Sequence, residues 1–319
     1  MRALVVANPV AGGSTPELID AVRRRCAKRV REVAIAWTDR PDAGVTLVER
    51  AVVEARAAGT PLDLVIAVGG DGTVREVAEG IARAGGAWPH GGTGEMPALL
   101  ALPSGTGNSV YRALWGECAW EQTLDRALTS GHSQLRVLDL ARVIEDDRAT
   151  VLGYNAGLLG RIAQLLQANR GDAIEQRYEA AIGQAVEELA AYPQRVTVDD
   201  DVLYEGPTMM TTVGGLGRFG RGAFEVLPRS RVDDGLLDVC VIGEVARERF
   251  GEFAALLGTG QHVGRREVAY AQGARVKVER LDGEALVSEY DGDPRRAGSV
   301  ATIDVVPRAV GALAALDPP

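Results

Sequence analysis

The chain has 319 residues, 46% of them hydrophobic and 25% charged, proportions that describe a folded globular protein and exclude a disordered one. Its formal net charge of −9 argues against a general nucleic-acid binder, which needs a basic face to displace counterions. Three cysteines without a CxxC pair and three scattered histidines offer no disulfide framework, zinc ribbon or Ser-His pairing.

In chain order, ALVVA (3–7) reads as a buried strand that breaks into the glycine loop NPVAGGS. Residues 16–33 carry a helical pattern opened by Pro16, VAIAW (33–37) a second strand, and 45–59 a second helix closed by Gly59. LDLVIAVGGDGT (62–73) is a third strand feeding a second glycine loop, and 74–85 its helix. PALLALPSGTGNS (97–109) repeats strand, loop and helix, and the preceding GAWPHGGTGEM reads as a surface insertion. Alternating strands and helices imply a mostly parallel sheet.

After about residue 132 short alternating runs take over, among them LRVLDLARV, QRVTVDD, TMMTTVGG, LLDVCVIG, ARVKVER and ATIDVV, with one helical stretch at about 173–191. Period-two alternation between turns implies antiparallel sheets. The expected build is an α/β N-terminal domain over 1–131, to which 305–319 returns, and a β-rich, antiparallel domain over 132–304. No apolar run approaches the roughly 20 residues of a membrane span. The opening segment lacks a secretory pattern. The expected location is therefore cytoplasmic, at most peripheral at the inner membrane face.

In a parallel α/β sheet, loops at the carboxyl ends of the strands share one edge, where ligands bind. Here those loops are Asn8-Pro9-Val10-Ala11-Gly12-Gly13, Gly69-Gly70-Asp71-Gly72-Thr73 and Pro103-Ser104-Gly105-Thr106-Gly107-Asn108. Glycine lets backbone approach a phosphate, helix-start amides then donate to it, and Thr73 and Thr106 add hydroxyls. Asp71 is a carboxylate in an anion-suited loop, which calls for a divalent cation beside it or a role in orienting donors. GxxxxGK[ST] is absent, so this is no P-loop. The GxGxxG at Gly215, Gly217 and Gly220 precedes a strand-like run and reads as a turn. The basic cluster Arg23 to Arg31 reads as a solvated helix end, with an anionic membrane surface as the sharper alternative.

GGDGTVREV, LPSGTGN, NPVAGGS and LPRSRVDDGLLDVCVI together resemble the diacylglycerol kinase catalytic-domain family, from residue 4 to about 310. That family comprises soluble bacterial lipid kinases related to sphingosine kinases, NAD kinases and phosphofructokinases. The resemblance implies a three-layer N-terminal domain and ATP-dependent phosphorylation of a lipid's primary hydroxyl, with diacylglycerol giving phosphatidic acid. A soluble acceptor such as NAD, or a catalytically impaired nucleotide-binding regulator, is the alternative. Implied for ATP are Asn8, Pro9, Val10, Ala11, Gly12, Thr38, Gly69, Gly70, Asp71, Gly72, Thr73, Val74, Arg75, Gly105, Thr106, Gly107 and Asn108, with Mg2+ as cofactor and Arg75 as a cation for the phosphates. The catalytic residues it implies are Asp71 and a general base. Asp293, in Asp291-Gly292-Asp293, is favoured for that base over Glu284 in the literal Asp282-Gly283-Glu284; Asp291 and Asp293 as solvated hairpin residues remain the plain alternative. A structural metal site would use Asp234 and the Leu236 carbonyl, with Arg231 standing where a further ligand belongs and Asp233 as a replacement. The implied partners are a lipid substrate at a membrane surface and a second copy in a homodimer, and no nucleic acid.

Overall fold

The computed structural model describes residues 1–10, 13–91, 96–168, 174–220, 222–296 and 298–317. Ala11 and Gly12 of the first loop, and 92–95 of the expected insertion, lie outside them. The chain divides into two compact units: Met1–Leu140, Val232–Gly235 and Val306–Pro319 form the first, Ala141–Arg231 and Leu236–Val305 the second.

The first unit runs β1 (Arg2–Ala7), α1 (Pro16–Cys26), β2 (Glu32–Trp37), α2 (Ala43–Ala57), β3 (Leu64–Gly69), α3 (Asp71–Ala84), β4 (Ala98–Pro103), α4 (Ser109–Trp115), α5 (Trp120–Ala127) and the start of β5 (Gln134–Val143). Its strands pair in parallel in the order β2-β1-β3-β4, with Ala7 opposite Val68 and Gly69 opposite Pro103. β3 is buried along its whole length, as its unbroken apolar sequence requires. Ala312, near the chain's end, pairs in parallel with Leu99 on the free flank of β4. α1 begins where Thr15 accepts the Leu18 amide and Pro16 fills the first turn, and it ends at Cys26, short of the sequence expectation. Its basic end is paired: Arg25 and Arg29 both reach Asp125, and Arg23 and Arg24 reach Asp20.

The second unit takes the end of β5, then β6 (Arg148–Thr150), β7 (Tyr154–Gly157), α6 (Leu158–Ala168), α7 (Ile174–Glu187), β8 (Tyr192–Val198), β9 (Asp201–Gly214), β10 (Arg218–Phe219), β11 (Phe224–Glu225), β12 (Leu237–Gly243), α8 (Phe250–Gly258), β13 (Val268–Gly273), β14 (Arg275–Arg280), β15 (Val287–Tyr290), β16 (Asp293–Arg296) and β17 (Val300–Ala314), whose end belongs to the first unit. Neighbours pair antiparallel through β16-β15-β7-β9-β8-β14-β17, with β12 on the other side of β9 and β13 beyond it. One apolar core gathers Tyr154, Val196, Val213, Val239, Val278 and Ile303. α6 and α8 correct the expectation of a single helical stretch. Burial of Ile162 and Leu165 against Ala181 and Ala185 gives α6 and α7 their own apolar seam, a period-3.6 pattern hidden beside the strand signals. The Gly215–Gly220 motif follows β9 and contains β10, with β11 and no helix after it.

Candidate functional site

Parallel pairing brings the carboxyl ends of β1, β3 and β4 to one edge, and main-chain hydrogen bonds lace the following loops together. The Asn8 amide donates to the Val68 carbonyl at 3.2 Å, Ser104 to Gly69 at 3.0 Å, and Gly13 to Ser104 at 2.9 Å. Thr38, buried at the end of β2, donates its amide to Ala7 at 2.9 Å. The Asn8 side chain spans two loops: Oδ1 accepts from the Val10 amide at 3.0 Å and Nδ2 donates to Thr73 Oγ1 at 3.2 Å. Pro9, Val10 and Thr106 are exposed.

At the centre of this rim two glycines meet. A Cβ on Gly105 would lie 2.2 Å from the Gly70 Cα and 2.7 Å from its nitrogen, both main-chain atoms that cannot move aside cheaply. A Cβ on Gly107 would lie 2.9 Å from Asp71 Oδ2, a side-chain atom. Asn108 closes the loop on itself: Oδ1 accepts from the Gly105 amide at 3.0 Å and Nδ2 donates to the Gly105 carbonyl at 2.8 Å. Its φ of 52° is a left-handed value that asparagine tolerates better than most residues.

The geometry explains why a carboxylate sits here. Asp71 Oδ2 accepts from the Ser109 amide at 3.0 Å and Oδ1 from the Val110 amide at 2.9 Å, so the first residue of α3 caps the start of α4. Burial pushes its carboxyl above the usual range, while these amides and nearby Arg112 pull the other way. Arg112 Nη1 donates to the Gly107 carbonyl at 2.7 Å, bringing a cation to the third loop.

Two residues of the sequence expectation turn away from this edge. Val74 is buried. Arg75, 2% exposed, donates to Asp42 Oδ1 at 2.6 Å and to Glu79 Oε2 at 3.5 Å, with Glu76 at 3.8 Å. The cation assigned to the phosphates therefore serves an interior ion cluster. On a helix, the position four residues from Glu79 faces inward with it. Glu76 adds two acceptors, taking the Asp42 amide at 2.9 Å and the Gly44 amide at 2.8 Å, which fixes the turn into α2 on α3.

In the second unit, β15 and β16 form a hairpin whose turn is Asp291-Gly292, with φ of 52° and 88°. Positive φ at both central positions is the tight turn that matches strand twist, and Asp-Gly is its preferred sequence. Asp291 is buried: its carboxylate accepts from Thr150 Oγ1 at 2.7 Å and from the Leu152 and Val151 amides at 2.7 and 3.0 Å. That corrects the solvated-hairpin alternative for Asp291. Asp293 opens β16 and is exposed. Glu284 lies on an exposed turn where its amide donates to Asp282, itself held by Arg280.

Three carboxyl roles escaped the sequence reading. Glu289 is 6% exposed, accepting from Asn155 Nδ2 and, at 2.7 Å, from the Gly292 amide. Burial with Asp291 and Asp293 nearby pushes its carboxyl up to about 8. Glu76 is the second. Asp139 is the third: it accepts from the Gly235 amide at 2.7 Å and the Arg308 amide at 2.6 Å, tying the Val232–Gly235 segment and the returning C-terminal segment to β5. Asp234 sits in that segment and Leu236 follows it. Among the described residues no three His, Cys, Asp or Glu side chains gather as a metal-ion cluster. A polar residue at a strand's inward position was the available signal for Glu289 and Asp139.

A parallel sheet that laces glycine loops together at one edge, followed in sequence by an antiparallel β unit, defines a two-unit α/β class. Comparison narrows it. Residues 2–143 match the diacylglycerol kinase catalytic domain, and 153–314 match the YegS C-terminal NAD kinase beta sandwich-like domain. A probable lipid kinase YegS-like protein of Pseudomonas aeruginosa is 30% identical over 309 residues, covering 92% of this chain and 88% of its own. Diacylglycerol kinase of Bacillus subtilis is 25% identical over 299 residues, 89% of each. A crystal structure described as a diacylglycerol kinase from Bacillus anthracis superposes with a TM-score of 0.67 at 18% identity, over 99% of this chain and 97% of that one, a likeness of fold. The chain belongs to the diacylglycerol kinase catalytic-domain family of lipid kinases.

Proposed function

We propose that this protein is an ATP-dependent lipid kinase that phosphorylates the primary hydroxyl of diacylglycerol at a membrane surface. The observation that carries the reading is the Gly70–Gly105 contact, which keeps side chains out of the rim where a phosphate needs bare backbone. α3 opens there with the Asp71 and Gly72 amides, which have no carbonyl one turn back and suit an anion. A cradle that a Cβ would fill fits a triphosphate. Bound nucleotide supplies the phosphoryl group, and magnesium, which needs one or two carboxylates beyond the phosphates, neutralises its oxygens.

The chain's own residues position and neutralise. Asp71 orients the second loop against α4 through Ser109 and Val110. Asn8, Asn108 and Arg112 hold the loops in register. Asp293, exposed at the start of β16, takes the hydroxyl proton as general base. Asp234 and the Leu236 carbonyl are the candidate structural metal ligands. Among the described residues no helix is long and apolar enough to cross a membrane.

The test is labelled ATP with a panel of diacylglycerol, monoacylglycerol, ceramide, sphingosine and NAD. Diacylglycerol is expected to be labelled best, and Asp71→Ala to abolish labelling without unfolding the chain. Preferential labelling of NAD would overturn the lipid assignment.

A further inference from the structure

The hairpin that carries Asp293 is fastened by two buried carboxyls of different kinds. Asp291 is met by amide donors and a hydroxyl, the setting of an ionised carboxylate. Glu289 meets only one amide of Gly292 and the Asn155 side chain.

Glu289 lies in one cross-strand row. Pro294, Glu289, Asn155, Thr212 and Cys240 are direct register partners on β16, β15, β7, β9 and β12. Partners in register share a face, and Thr212 Oγ1 donates to Asn155 Oδ1 at 2.7 Å. Asn155, Thr212 and Cys240 are at most 1% exposed. The same heavy atoms serve a protonated Glu289 equally well. Turning the Asn155 amide over lets the acid O–H donate to Oδ1 while Nδ2 donates to Thr212 Oγ1. A charged Glu289 cannot donate to Oδ1 in this way, and Asp291 and Asp293, which act to keep its proton on, are of its own sign.

Among the described side chains, the cations on the packing elements have partners of their own. α6 packs on β15, β16, β7 and β9, and its one charged side chain, Arg161, pairs with Glu188. Arg295 of β16 stacks on Tyr290, with its guanidinium carbon 4.1 Å from the ring centre, and lies 3.7 Å from Asp146.

We propose that Glu289 in its neutral, proton-bearing form is the positioning residue of the general base: through the Gly292 amide it holds the turn that presents Asp293, and losing its proton releases that turn. This rests on Asp293 being the base. Ionisation places a third negative charge beside Asp291 and Asp293 in a buried setting; the Gly292 amide favours that charge, so the strain falls on the repulsion from Asp291 and Asp293, which is relieved when the turn they flank opens to water.

The experiment measures kcat for diacylglycerol between pH 6.5 and 10 in wild type, Glu289→Gln and Asp293→Asn. Wild type is expected to lose about tenfold per pH unit beyond about 8. In Glu289→Gln, which is isosteric and cannot ionise, the alkaline limb should move up by at least about one unit. An infrared band for a protonated carboxylic acid at neutral pH, lost in Glu289→Gln, gives a reading that needs no turnover. An unmoved limb in Glu289→Gln, or an unchanged infrared band, would overturn the positioning role. Asp293→Asn should be inactive at every pH; wild-type turnover by it would overturn the base assignment instead, so the two failures are distinct.

Discussion

At the rim of the first unit, Gly70 and Gly105 touch through main chain, and the loops are joined amide to carbonyl. At the 290–293 hairpin of the second unit, the turn is held by carboxyls reaching sideways from β15 and from the turn itself to β7 and to the 150–152 segment. A site made of backbone has to be written in contiguous glycines. A site made of buried side chains can be scattered over strands that meet only after folding.

The largest effect should come where the first unit departs from its own rule, in the ion cluster beneath the rim. Arg75→Ala removes the guanidinium that Asp42 and Glu79 share, Glu79 keeping Arg83 at 2.8 Å, and on the order of 3 kcal/mol of stability should go, read as a fall in Tm. Less damage followed by near-normal stability would mean that the cluster is wetter than its burial implies. Next is Gly105→Ala, which forces Gly70 and Gly105 apart. A displacement of about 1 Å in a positioning loop costs on the order of 100-fold in turnover. Calorimetric titration with ATP should register the loss while circular dichroism stays native.

Asp291→Asn sharpens the comparison from the other side. Losing the charge and one acceptor from a buried carboxylate with hydroxyl and amide donors should cost about 1–3 kcal/mol in denaturant unfolding. Gly105→Ala, by contrast, should leave the second unit's unfolding transition in place. Last comes the pH response of stability, an effect spread over several pH units. Glu289 is raised when folded, so the folded state holds more protons than the unfolded chain between about 4.5 and about 8. Stability must therefore fall as pH rises through that window, and the loss is complete above it. A Tm profile that is flatter in Glu289→Gln than in wild type is the expected result. Parallel profiles would remove Glu289 from the account.

The same contrast decides what could be read before folding. ALVVANP, LVIAVGGDGT and LLALPSGTGN announced strands, loops and their shared edge, because parallel buried strands are apolar runs and phosphate loops are glycine runs. Within GGDGTVREV the burial of Val74 and Arg75 was not legible, since a motif lists neighbours in sequence while α3 sends successive residues to different faces. Glu289 could not be found from VSEY, because its partner Asn155 is 134 positions away. α6 was lost for a related reason, its apolar seam having meaning only once α7 lies against it.

The first unit is also discontinuous along the chain: the Val232–Gly235 segment docks on Asp139, and Ala312 covers the flank of β4. A ribosome releases β1 to β4 early, but the flank of β4 stays open until Ala312 emerges. An uncovered edge strand is an aggregation template. Until Ala312 has emerged, the nascent α/β half carries that liability on the β4 flank.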